Sequence, residues 1–278
     1  MANRVNQAVT ESDTPAANDP FKAPGGNPPS GNPSHRLTVA LETSSRVGSI
    51  AIGRDDECLL EHTFSGPMQH ATELVPALQQ LTQTLGRKAA DIGEIIVSIG
   101  PGSFTGVRIS VMVARTLSQV LGCKLIAAPT TEVLALNAPV RSTPNIGVVL
   151  DARRGMIFGA CYRVNHTLSA PWPEIQVVME PTLGSPETLP ASWPKPIHLL
   201  GEGIQYHRAA LSTAGFDDCL LPAETAVPRA SALYQIGRRR AARGQFVTRE
   251  ALLPLYLRRP EAEEVWEKRQ AESSGVKE

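Results

Sequence analysis

No cysteine in this chain lies in a C-x-x-C pair. The four present, Cys58, Cys123, Cys161 and Cys219, are widely spaced. That spacing argues against a zinc site or a disulfide framework, and buried reduced thiols are expected. No apolar run approaches the ~18 residues that a membrane helix needs. The N-terminus has no apolar stretch of the signal-peptide kind, so a cytoplasmic protein with no membrane association is expected. Histidine offers no helical metal pair: among His35, His62, His70, His166, His198 and His207, no two are four apart. Ser44, His70 and Asp151 are the residue types of a hydrolase, but no Gly-x-Ser-x-Gly elbow accompanies them. No charge sign dominates either: Lys and Arg number 27, Asp and Glu 27, and the formal net charge is zero. Proteins that bind nucleic acid unaided carry a basic excess, so such a contact here must be local or shared with a partner.

What is present begins with a change of composition. Residues 1–36 are rich in proline, glycine and polar side chains, above all from Pro20 to Pro33. Such a segment cannot bury enough apolar surface to fold, and a disordered tail is expected. Of the 278 residues, 42% are hydrophobic, enough for a real core in the rest of the chain. Leu37–Glu42, Gly48–Gly53 and Cys58–Phe64 read as three strands of a meander. Leu74, Leu78, Leu81 and Leu85 then fall at helical spacing, and Val75 broadens that stripe. Gly86 closes the helix. A strand over Glu94–Ile99, a helix over Thr105–Leu121, a strand over Lys124–Ala128 and a short helix from Thr131 follow.

A shorter version of the same order comes next. Strands are expected over Ile146–Asp151, Met156–Val164, Ile175–Met179 and Ile197–Gly201. Helices are expected over Ser185–Ala191, Ile204–Ala214 and Ser231–Arg243. Two copies of a meander followed by helices point to an α/β protein with a duplicated ribonuclease-H-like fold, the architecture of actin, Hsp70 and sugar kinases. The expected division is a first lobe over 37–145, a smaller second lobe over 146–259 and a charged tail over 260–278.

The sharpest segment is Ser98–Ser110, with Gly100, Pro101, Gly102, Ser103, Phe104, Thr105 and Gly106 in succession. It joins a strand to a helix. Glycine allows a tight turn and close approach, Ser103 or Thr105 can cap the helix, and free N–H groups at a helix start favour an anion. No Gly-Lys-[Ser/Thr] makes it a Walker loop. A plain strand–helix turn and a phosphate loop both remain open. Glu42, Thr43 and Ser44 end the first strand, and Asp151 ends the corresponding strand of the second copy. A carboxylate at both places marks a pair of old phosphate loops. Arg238, Arg239, Arg240 and Arg243 lie on the late helix, as a solvated face or a phosphate-contact patch.

Together these segments resemble the TsaB (YeaZ) family of tRNA threonylcarbamoyladenosine biosynthesis proteins. The likeness runs from Leu37 to about Arg259. It is carried by Leu41–Ser44, by His70-Ala-Thr72 with Leu74 and Pro76, and by Gly100–Arg108, Asp151–Arg153 and Tyr256–Arg258. It implies an actin-like fold with a degenerate active site, no catalytic residue, no metal and no cofactor of its own, with ATP or ADP at the interface with a partner left open. It also implies pairing with a TsaD transferase, with a TsaE ATPase joining, and contact with tRNA through that complex. The complex would form N6-threonylcarbamoyladenosine at position 37 of tRNAs reading ANN codons. Self-pairing as a homodimer is implied when TsaD is absent. TsaD-type proteins carry two metal-binding histidines four apart on the first helix, whereas this chain has His70 and then Leu74. Pairing in the family uses the two first-lobe helices, and the contacts expected here are His70, Leu74, Leu78, Val107, Val111 and Ala114, although the same spacing serves an intramolecular core. The rival readings are a stand-alone ATPase or transferase of this fold, and a tRNA-binding module built on Arg238–Arg243.

Overall fold

The computed structural model describes residues 36–139, 145–165 and 172–258. The expected tails over 1–36 and 260–278 therefore lie outside the described residues, Arg36 apart. The first sheet comprises β1 (Leu37–Glu42), β2 (Ser49–Arg54), β3 (Glu57–Thr63), β4 (Ile92–Ser98) and β5 (Lys124–Ala128) in the order β3-β2-β1-β4-β5. The first three strands are antiparallel, and β4 and β5 join in parallel through α1 (His70–Thr84) and α2 (Phe104–Leu121). Every residue of β1 is buried, as befits a central strand with helices on both faces. Alternation assigns the faces. Leu37, Val39 and Leu41 pack with Leu74, Leu78, Val107 and Val111. Ala40, with Ala51, Ile96 and Ile126, forms a second cluster on the other side.

The second sheet repeats the plan. It contains β6 (Asn145–Asp151), β7 (Ile157–Asn165), β8 (Glu174–Gly184) and β9 (Ile197–Leu200), ordered β8-β7-β6-β9. β6 pairs antiparallel with β7 and parallel with β9, as β1 does with β2 and β4. This repetition is the duplicated ribonuclease-H-like fold, without a fifth strand among the described residues of the second copy. The helix expected over Ser185–Ala191 is not formed; a single 3-10 turn, Pro190–Ser192, stands at its end. Pro190 fixes its own φ and donates no N–H, which limits helix growth. β8 runs on to Gly184, beyond the expected Met179.

The last helix of each copy packs across the molecule. The short α3 (Thr130–Ala135) follows the first sheet but places Leu134 and Ala135 against Ile146, Val148 and Tyr162 of the second. α4 (Gly203–Thr213) covers the other face of the second sheet through Leu211. α5 (Ala230–Ala242) returns to the first sheet, where Ala230, Leu233, Tyr234 and Ile236 meet Ala40, Ala51, Ile96 and Ile126. The expected assignment of 146–259 to the smaller lobe puts α5 there; its apolar face is buried on the first sheet instead. Gly237 explains the fit, since a Cβ there would stand 2.2 Å from Ile96 Cδ1. Among the described residues no helix is long and apolar enough to cross a membrane.

Candidate functional site

The carboxyl ends of β1, β4 and β6 face one another across a cleft of about 940 Å³. In open α/β sheets this is where ligands sit. On one wall the turn after β1 and the start of α2 are locked together. Thr43 Oγ1 donates to the Gly106 carbonyl at 2.7 Å, and Ser103 N–H donates to the Ser44 carbonyl at 2.6 Å. Close approach is why both glycines are needed. A Cβ on Gly102 would lie 2.3 Å from Ser44 O, and one on Gly106 would lie 2.0 Å from Thr43 O. Ser103 caps α2, its Oγ accepting from Gly106 N at 3.2 Å. Gly100 stands behind the wall, its carbonyl accepting from Thr130 N at 2.8 Å.

Glu42 lies beneath this wall and is fully buried. Its Oε1 accepts from Ser44 N at 2.7 Å and from Ser44 Oγ at 2.5 Å, while Oε2 has no partner among the described residues. Burial pushes the carboxyl above its ordinary value, and the Ser44 hydrogen bonds oppose that shift. His70 holds the next residue of the turn. It is 1% exposed, and its Nε2 lies 3.0 Å from Ser45 O. Burial lowers its pKa, so the neutral ring donates through Nε2–H, and Nδ1 is left buried without a partner.

The opposite wall is acidic and basic by turns. Asp151 Oδ1 accepts from Arg153 N and from His207 Nε2, both at 3.0 Å, and Asp151 N donates to Glu202 Oε1 at 3.1 Å. Burial raises the Glu202 carboxyl. Arg46, Arg153, Tyr206, Met68 and Phe104 also line the cleft. Its volume would admit a nucleotide. The Ser103 N–H is engaged by Ser44 O, and Asp151 and Glu202 line the cleft together with Arg46 and Arg153. Ser44, Gly102, Ser103, Thr105 and Asp151 thus share one cleft, with Glu42 and Thr43 buried behind it. Among the described residues no cluster of three or more His, Cys, Asp or Glu side chains could hold a metal ion.

The expected pairing residues lie inside the free chain. His70, Leu74, Leu78, Val107, Val111 and Ala114 are all buried within the chain. Leu74, Leu78, Val107, Val111 and Ala114 form the face of α1 and α2 that lies on the first sheet, and His70 is held by Ser45 O and lies against Phe64. The free apolar side chains of these helices are on the opposite face: Val75 at 54% exposure, Met112 at 59% and Val120 at 74%. Apart from Glu73 at the edge, α1 has no charged side chain. The signal for this second face was the breadth of the apolar pattern, wider than one buried stripe requires.

The arginine run of α5 is engaged inside the molecule. Arg238 pairs with Glu94, Arg240 with Glu132 and the Ala127 carbonyl, and Arg239 with the Pro173 carbonyl. Arg243 lies 3.5 Å from Glu174. This is not the free basic patch that the run itself suggests. The segment Leu252–Arg258, of which the sequence singled out Tyr256–Arg258 as a motif but not its position, is a further part of the site. Leu255 N donates to the Ile99 carbonyl at 2.7 Å, and Arg258 Nη1 donates to the Ala152 carbonyl at 3.1 Å. One extended stretch thereby holds both sides of the cleft.

Comparison with known proteins bears on this architecture. Residues 67–266 match a family model described as TsaD, tRNA N6-adenosine threonylcarbamoyltransferase. The chain is 31% identical over 239 residues to the tRNA threonylcarbamoyladenosine biosynthesis protein TsaB of Bacillus subtilis, covering 82% of this chain and 96% of that one. It is 26% identical to TsaB of Escherichia coli over 223 residues, covering 79% and 94% of the two chains. YeaZ from Pseudomonas aeruginosa superposes with a TM-score of 0.67 at 25% identity, over 80% of this chain and 100% of that one.

Proposed function

This chain belongs to the TsaB family of tRNA threonylcarbamoyladenosine biosynthesis proteins, and from that membership we propose that it is the non-catalytic subunit of a threonylcarbamoyl transferase complex. It pairs with a TsaD-type transferase through the outer face of α1 and α2. A TsaE-type ATPase joins the pair, and tRNA is engaged by the assembly. In the absence of TsaD the same face pairs two copies of this chain.

The observation that carries this reading is the exposed apolar face of the two helices, with Val75, Met112 and Val120 standing clear of the core. Burying such side chains at an interface contributes about 1.5–3 kcal/mol each. The first helix supports it in a second way. Where TsaD-type proteins have a pair of metal-binding histidines, this chain has His70, whose Nε2 is bonded to Ser45 O, and Leu74, a core residue.

Light scattering on the chain mixed with its TsaD paralogue tests the proposal. A 1:1 or 2:2 complex is expected. Val75→Asp and Met112→Asp should dissolve it while the circular dichroism and melting temperature of the free chain stay near wild type. Leu78→Asp, at a position only 6% exposed, should instead unfold the first lobe. Failure of the wild-type proteins to associate, with or without ATP and the TsaE-type ATPase, overturns the proposal.

A further inference from the structure

We propose that Phe104, Arg108 and Tyr256 form a contact for an unpaired stretch of RNA, in which the guanidinium takes a phosphate and an exposed ring face takes a base. Three observations support it. The guanidinium is held in place: Arg108 Cζ lies 3.7 Å from the Phe104 ring centroid, and Nε donates to Tyr256 Oη at 2.6 Å. Both rings remain open to solvent, Phe104 at 40% exposure and Tyr256 at 42%, with their centroids 5.2 Å apart. Finally, no described carboxylate pairs with Arg108, whereas Arg229, Arg238, Arg239, Arg240 and Arg243 all have one within reach.

Single-stranded RNA is recognised by this combination. Bases stack on aromatic rings or on a guanidinium plane, and an arginine fork matches phosphate geometry. A guanidinium already stacked and hydrogen-bonded loses little freedom on binding. The zero net charge of the chain fits one local contact better than a broad electrostatic surface. Phe104 also lines the inter-lobe cleft and begins α2. Arg108 lies one turn before Met112 on the same side of α2, so the RNA contact adjoins the proposed transferase-binding face at its N-terminal end. The inference rests on the proposed role in a tRNA-modifying complex.

The test is fluorescence anisotropy of unmodified tRNA titrated with the reconstituted transferase complex at several salt concentrations. Wild type is compared with Arg108→Ala, Arg108→Lys and Phe104→Leu, and the mass of each complex is read by light scattering. Arg108→Ala is expected to weaken tRNA binding roughly tenfold and to reduce the salt slope by about 1, with the complex intact. Arg108→Lys should restore the slope but only part of the affinity, and Phe104→Leu should lower affinity without changing the slope. Unchanged tRNA affinity in an intact Arg108→Ala complex overturns the inference. Loss of the complex in that variant also overturns it, and assigns the patch to a protein partner. If wild type forms no complex, the proposed function fails; the same titration on the chain alone then reads the RNA contact, and equal affinities of wild type and Arg108→Ala refute it.

Discussion

Glu42 has one carboxylate oxygen held by Ser44 and the other without a described partner, in a site with no solvent exposure. Burial disfavours its charged form, so its folded pKa lies above the ordinary 4.5. For an acid shifted in that direction, the folded state holds the proton more tightly than the unfolded state. Its contribution therefore improves as pH falls through the folded value toward 4.5 and is lost as pH rises. Glu42→Gln removes this dependence. The stability of wild type relative to Glu42→Gln should rise between neutral pH and about pH 4.5, as read by thermal unfolding across that window. Parallel curves for the two proteins would show that the Glu42 proton is not linked to folding. The sequence identified Glu42 as a strand-end carboxylate, but its burial depends on Ser103 and Gly106 closing over the turn, and those residues come from another element.

Helix α5 shows how an element can be legible while its role is not. Its position was readable as Ser231–Arg243, and the structure places it over Ala230–Ala242. The arginines on it read as a surface patch because their partners are remote in sequence: Glu94 on β4, Glu132 on α3 and Glu174 on β8. The Arg240–Glu132 pair is the deepest of these, with side chains 23% and 11% exposed. Desolvation raises the Glu132 carboxyl, and the Arg240 charge opposes that shift. Arg240→Ala leaves Glu132 buried without its counter-charge. The expected loss is roughly 3 kcal/mol, the lower end for breaking a buried pair, because the guanidinium is partly solvated. A melting temperature lower by about 6–12 °C follows. Adding Glu132→Gln should recover much of it. A change of less than ~0.5 kcal/mol in Arg240→Ala would show that the pair behaves as a surface salt bridge.

On the scale of the whole molecule, the two sheets are tied by crossed helices and by the segment that ends the described chain. α3 lies on the second sheet and α5 on the first, so neither copy of the fold is covered by its own last helix. Leu252 is fully buried in the first core, and Arg258 reaches the Ala152 carbonyl beyond the cleft. A charge-assisted hydrogen bond of this kind is worth about 1.5–3 kcal/mol where buried. Arg258→Ala should therefore speed amide exchange through Asp151–Gly155 while leaving β1 and β4 protected. Uniform protection, identical to wild type, would mean that the segment does not brace the cleft.

The sequence by itself determined the succession of elements along both copies, save the helix expected over Ser185–Ala191, together with the close-packed glycine turn and the family. These are local properties. Period and turn chemistry act within a dozen residues, and the Gly100–Arg108 string is long enough to be specific. Tertiary structure alone decided which face of α1 and α2 is free. Spacing groups Leu74 with Leu78 and Val107 with Val111, but it does not say whether the shared face meets the sheet or another protein. The sheet takes the more apolar face because that burial removes the larger area from water, leaving Val75, Met112 and Val120 outside. The same holds for charge: whether an arginine is a ligand for an anion or a strut between helices depends on which carboxylates the fold brings beside it. Arg240 meets Glu132, whereas among the described residues Arg108 meets the Phe104 ring and the Tyr256 hydroxyl and no carboxylate.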